Sequence, residues 1–228
     1  MKAFKVAVAA CLFAGVAAAQ GFAAPQTPFT AAVIGAQAVV RSATTVITEC
    51  ADAVRRLNVH DIALQGHTDE LRLETDNLIA VVSTLQANQT LFLDHLDRQS
   101  TIGATETHLG AFIDAPTVAA DRRNAWNSVQ TDIEKLDGQT TEILRTIRKS
   151  NVLKSQLPPE LLMSLEQALM EKSEVRFQMG ELERGHEPSK PEEIATLRGL
   201  TSQYRALHAG MNKLLLSLYK LRQQLYAP

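Results

Sequence analysis

Metal chemistry inside a helical protein needs ligand side chains one turn apart on a single inward face, and the pair to test first is Glu183 and His186. Di-metal helical bundles use two such Glu-x-x-His pairs, each in the middle of a helix. Here the spacing occurs once, Gly185 stands between the two residues, and Gly185-His186-Glu187-Pro188 breaks the helix that would carry them. His60 and His67 share a helical face, but seven residues are about 10 Å of helix rise, too far for both to reach one ion. His95, between Asp94 and Asp97, and His208 are isolated. Cys50 stands in an apolar and acidic stretch that disfavours its thiolate. No Gly-x-Ser-x-Gly, no phosphate-cradling glycine loop and no Cys-x-x-Cys-His occurs. The chain therefore reads as non-catalytic, with no cofactor and no metal.

Charge supplies the next candidates. Between Asp61 and Arg98 the acids Asp61, Asp69, Glu70, Glu74, Asp76, Asp94 and Asp97 face only Arg72 and Arg98. After Glu193 no acid remains, while Arg198, Arg205, Lys213, Lys220 and Arg222 do. These five cations form the candidate interaction face. Three roles are open to them: an ordinary solvated surface, pairing with the acidic helix inside the fold, or contact with an anionic partner such as lipid headgroups. A formal net charge of −2 excludes the global basicity of a nucleic-acid binder. Asn88-Gln89-Thr90 matches the N-glycosylation acceptor pattern.

The elements that must position these residues begin with an export signal. Met1 to Lys5 is cationic, Val6 to Val16 is apolar or small, and Ala17 to Ala19 suit a signal peptidase, so residues 1–19 read as a signal peptide cut after Ala19. Val8-Ala9-Ala10-Cys11 has the form of a lipoprotein signal, but about five apolar residues precede it where such a region has about 7–15. Loss of the signal leaves Cys50 alone, so no intrachain disulfide can form. Residues 20–30, with Pro25 and Pro28, read as a flexible tail. No later stretch is expected to reach membrane-spanning length, because the apolar run Ala31 to Val40 contains Gln37 and meets Arg41.

Residues 31–228 read as one all-α domain. A first helix is expected from near Thr30 to Leu57. A second, capped by Asn58, carries Leu64, Leu71, Leu78, Leu85 and Phe92 at seven-residue spacing, with Thr68, Thr75 and Gln89 interrupting a second row. Gly103, Gly110 and Pro116 mark a connection over 100–117. A third seam runs Trp126, Val129, Ile133, Leu136, Thr140, Ile143 and Ile147 until Pro158-Pro159. A fourth runs Leu161, Leu165, Ala168, Lys172, Val175, Met179 and Leu182. The fifth, behind a Ser189/Glu192 capping box, is unbroken from Leu197 through Leu200, Tyr204, Leu207, Met211, Leu214, Leu218 and Leu221 to Leu225. Short connections favour an up-and-down antiparallel bundle of about five long, coiled-coil-like helices.

The functional expectation is a secreted or periplasmic protein that binds a protein or cell-envelope partner. The alternative is a bundle that binds an apolar ligand, lipid or hydrophobic surface, and an unrecognised enzyme comes third.

Overall fold

A computed structural model of the chain describes residues 28–109, 116–180 and 190–227. The expected signal peptide with Cys11, most of the expected tail, Ser189 and the Glu183–His186 pair lie outside the described residues. Seven helices occupy the rest: α1 Pro28–Arg55, α2 Val59–Leu64, α3 Thr68–Leu109, α4 Pro116–Lys149, α5 Asn151–Ser155, α6 Pro159–Gly180 and α7 Pro191–Tyr226. No strand occurs among the described residues.

The heptad seams are the core. Leu71, Leu78, Leu85 and Phe92 of α3 are buried, as are Trp126, Val129, Ile133, Leu136, Ile143 and Ile147 of α4, and all nine seam residues of α7 from Leu197 to Leu225. α7 packs along α1 and α3, α3 also packs along α4, and α6 bridges α1 and α4. Polar contacts set the directions. Gln37 Nε2 donates to the carbonyl of Thr196 and Lys213 pairs with Asp52, so α1 and α7 run parallel. Arg198 meets Ser100 at one end of the α3–α7 pair and Arg222 meets Asp76 at the other, so those helices are antiparallel.

Where boundaries differ from expectation, backbone chemistry explains the shift. α1 begins at Pro28, inside the expected tail, because proline suits the first helical turn, where its missing N–H is not needed. Asn58 does cap, its Oδ1 accepting from the His60 N–H at 3.1 Å, but the helix it starts ends after Leu64. Gly66 takes φ 78°, a left-handed conformation natural to glycine, and a new helix begins at Thr68. Leu64 is thereby thrown off the seam and left 75% exposed. The expected connection over 100–117 is shorter than expected, since α3 continues to Leu109 and α4 begins at Pro116.

The third helix stops at Lys149 rather than at Pro158, because Ser150 adopts extended backbone and α5 restarts the chain. Before α7 the cap falls one residue later than the Ser189/Glu192 reading. Pro191 takes the first helical position, so Lys190 is the cap residue and Glu193, buried, accepts its N–H at 3.5 Å. A lysine side chain has no acceptor, so only the glutamate half of a capping box is available.

One correction concerns membranes. The segment Phe29–Arg55 is long and apolar enough to cross a bilayer, with hydropathy 1.3 over its most apolar window. Gln37 and Arg41 do not end the apolar stretch: Arg41 is the only charge between Phe29 and Thr48, and the alanines, valines and isoleucines around it keep the average high. Half of that window is buried in the fold, and Val33, Val40, Ile47 and Ala51 face inward, the pattern also expected of a core helix.

Candidate functional site

The basic residues of α7 are largely engaged within the fold. Arg205 pairs with Asp97, Arg222 Nε lies 2.8 Å from Asp76, and Arg198 Nε donates to Ser100 Oγ at 3.3 Å, all on α3. Lys213 Nζ lies 2.7 Å from Asp52 of α1. Lys220 is exposed and has no ion pair among the described residues. The acidic and basic helices are therefore neighbours. Pairs this exposed contribute about 0–1 kcal/mol each, enough to select a helix partner but little to hold it. The Lys213 ammonium, as hydrogen-bond donor, holds the Asp52 carboxyl below its ordinary 3.8, with Arg55 and Arg56 adding to the effect. The stability linked to Asp52 is present above that ordinary value and is lost as pH falls below it.

The first turns of α3 hold two helix ends that lack caps of their own, a role that composition alone did not reveal. Arg72 donates from Nε at 2.9 Å and from Nη2 at 2.5 Å to the carbonyl of Leu225, placing a cation on the C-terminus of α7. Its guanidinium also lies 5.0 Å from the centre of the Tyr226 ring, and Tyr226 Oη donates to Asp76 at 2.9 Å. Glu74 caps α5 from across the bundle: its carboxylate accepts the N–H of Val152 at 3.1 Å, that of Leu153 at 2.9 Å, and that of Asn151. Ser150, the cap residue, makes no side-chain cap of its own.

The core contains polar side chains on α3 and α4. Thr75 and Gln89 are fully buried on α3, and Gln89 Nε2 donates to the Tyr204 carbonyl at 3.0 Å. Thr75 Oγ1, Gln89 Oε1, Trp126 Nε1, Gln130 Nε2 and Gln139 Oε1 are buried and make no hydrogen bond. Each such group costs about 1–3 kcal/mol of stability. Burial pushes the Tyr204 phenol well above its ordinary range, and the charge of Asp137 pushes it further. The interruptions at Thr75 and Gln89 were visible as breaks in a heptad row, but the bond from Gln89 to the Tyr204 carbonyl of α7 was not.

The remaining candidates are dispersed. His60 is exposed, His67 lies 3.6 Å from Glu70, His95 lies 3.8 Å from Asp132, and His208 Nδ1 is 3.2 Å from Asn212. Among the described residues no three His, Cys, Asp or Glu side chains gather as a metal set. Asn88 is half-buried in the middle of α3 and donates to the Thr84 carbonyl at 2.9 Å, so its acceptor triplet is helical rather than in a loop. A cavity of about 310 Å³ between the end of α1 and the start of α6 is lined by Glu49, Asp52, Arg56, Pro158, Glu160 and Leu161.

Cys50 is buried, and burial, followed by the neighbouring Glu49 charge, pushes its thiol up to about 12. Because the folded value is raised, the linked stability is present below the ordinary 9.0 and is lost as pH rises towards about 12. A thiol reagent at mildly alkaline pH is therefore expected to leave Cys50 unmodified in the folded chain and to label it only on unfolding. Prompt stoichiometric labelling of Cys50 in the native chain would contradict this burial.

α6 exposes apolar residues outside its buried seam, as α3 does at Leu73 and Leu91 and α7 at Leu216. Leu161, Leu165 and Ala168 of the expected seam are buried, Leu162 and Leu169 are half-buried, and Met163 and Met170 are each 69% exposed. At seven-residue spacing the two methionines share one outward face. Methionine adapts its shape to many apolar partners.

No protein-family model matches the chain, and no curated protein and no solved structure is significantly similar to it.

Proposed function

We propose that this chain is an exported, non-catalytic helical bundle that binds apolar material, lipid or a hydrophobic surface, with the outer face of α6 as first contact. The single observation that carries this reading is the exposed pair Met163 and Met170, seven residues apart on one outward face of α6. Export rests on the leader-like residues 1–19, and the absence of a reactive constellation among the placed side chains is consistent with a binding role. The five long helices form one up-and-down bundle in this reading. A ring of five cannot alternate throughout, and α1 with α7 is the neighbouring pair that runs parallel.

A protein or cell-envelope partner met through Arg198, Arg205, Lys213, Lys220 and Arg222 is less favoured, because four of those five side chains already have partners in the fold. Burying one methionine side chain contributes about 1.5–3 kcal/mol. Met163→Asp with Met170→Asp should therefore weaken binding to uncharged phosphatidylcholine vesicles or oil droplets by at least about tenfold. Both sites are exposed, so the thermal midpoint should be nearly unchanged. Unaltered binding by the double variant would remove α6 from the interaction.

A further inference from the structure

We propose that two copies of this chain pair through the outer face of α3 and α7, each copy's α3 lying on the other's α7. From Asn77 to Leu93 α3 carries no charged residue. From Ala206 to Tyr219 α7 carries one formal charge, Lys213, which turns aside to Asp52 of α1. The two stretches are neighbours, because Gln86 bonds Asn212 halfway along them. Arg222 with Asp76 closes one end of this strip, and Arg205 with Asp97 closes the other.

Ala80, Ala87 and Leu91 are exposed on α3, and Ala209, Leu216 and Tyr219 on α7, at spacings of three, four and seven residues that put each set on one helical face. Leu91 and Leu216 are each 65% exposed. The exposed threonines between them, Thr84 and Thr90, add no charge. Asp76 to Asp97 is about 31 Å of helix rise, and two packed helices are about 20 Å across, comparable in extent with the face of about 800 Å² that each partner contributes to a standard interface.

The charges around the strip select a second copy as its occupant. A two-fold axis parallel to α3 and α7, and between them, lays the acidic helix of each copy on the basic helix of the other at the same level. Lys220 is exposed and unpaired in the single chain, and stands two residues from Arg222, which marks the level of Asp76. It therefore comes within one turn of the level of the partner's Asp76. Asp94 is likewise exposed and unpaired, and stands three residues from Asp97, which marks the level of Arg205. It comes within one turn of the level of the partner's Arg205. Such rim charges add little affinity but fix the orientation in which the uncharged faces meet. The pairing stands independently of the apolar binding proposed for α6, which packs on α1 and α4.

The test is the mass of the chain by analytical ultracentrifugation, from micromolar to millimolar concentration, in four forms: unaltered, Ala87→Asp with Leu216→Asp, Lys220→Glu, and Met163→Asp with Met170→Asp. The unaltered chain is expected to dimerise. Ala87→Asp with Leu216→Asp places unpaired carboxylates inside the interface and should raise the dissociation constant by at least about a hundredfold. Its helical circular-dichroism signal should be unchanged, because both sites are exposed. Lys220→Glu, set near the partner's Asp76, should raise the constant by about fivefold at low salt. The methionine variant should dimerise as the unaltered chain does.

An unaltered chain that stays monomeric at millimolar concentration would overturn the proposal, and so would undiminished pairing by the Ala87→Asp, Leu216→Asp chain. If that variant loses helicity, Lys220→Glu decides, and an unchanged dissociation constant overturns the pairing. Loss of the dimer in the methionine variant alone would place the interface on α6 and overturn it as well. Vesicle binding by the Ala87→Asp, Leu216→Asp chain keeps the two ideas apart, since a monomer that still binds vesicles upholds both.

Discussion

Phe92→Ala is expected to lower the unfolding free energy by about 3–5 kcal/mol. Phe92 is 1% exposed and meets the Tyr204 ring edge-on, with centroids 4.7 Å apart. Removing it deletes an apolar side chain and an aromatic pair at once, and leaves a cavity beside Gln89. Gln89 is held there by its bond to the Tyr204 carbonyl, so α3 cannot slide to fill the space without breaking that bond. Denaturant titration should show a lower midpoint with an unchanged slope. A loss below about 1 kcal/mol would mean that the α3–α7 contact is looser than described.

Gly210→Leu acts on the other side of α7. Gly210 is buried in the middle of a long helix, where glycine costs about 1 kcal/mol relative to alanine. Its Cβ position is already 3.0 Å from Thr48 Oγ1, 3.7 Å from the Thr44 carbonyl and 3.8 Å from Ile47 Cγ2. A leucine must therefore push α1 away from α7, and overpacking of this kind typically costs about 1–3 kcal/mol, occasionally more. The gain in helix propensity offsets part of that and does not reverse it. A thermal midpoint equal to or above that of the original chain would show that α1 and α7 are not in close contact here. Gly199 is more forgiving, because the nearest atom is the tip of the flexible Gln37 side chain.

These two positions also show what the sequence makes legible. Phe92 belongs to a heptad row, and periodicity identified it as core without any structure. Gly210 read only as a loss of helix propensity, because a close approach between two helices far apart in sequence leaves no local signature. The same holds for Glu74 and Arg72, which look like ordinary surface charges until the ends of α5 and α7 are placed against them.

Helix boundaries were legible where proline sets them, at Pro159 and Pro191, and misread at Gly66, where a left-handed glycine splits an apparently continuous heptad. The basic residues of α7 were recognised as a stripe. Whether they face solvent or the acidic helix depends on the rotation of α7, which composition does not encode. Met163 and Met170 of α6 stand outside its heptad row, and their exposure depends on how α6 is turned against α1 and α4.

The apolar-binding account separates from an electrostatic one most directly by the salt dependence of association. The chain would be mixed with uncharged and with anionic vesicles and the bound fraction measured by flotation, from about 0.01 M to about 1 M salt, a range over which the Debye length falls from about 30 Å to about 3 Å. Binding through the face of α6 predicts comparable affinity for both vesicle types, with little loss at high salt. Binding confined to anionic vesicles and abolished at high salt, or no binding to either, would contradict it.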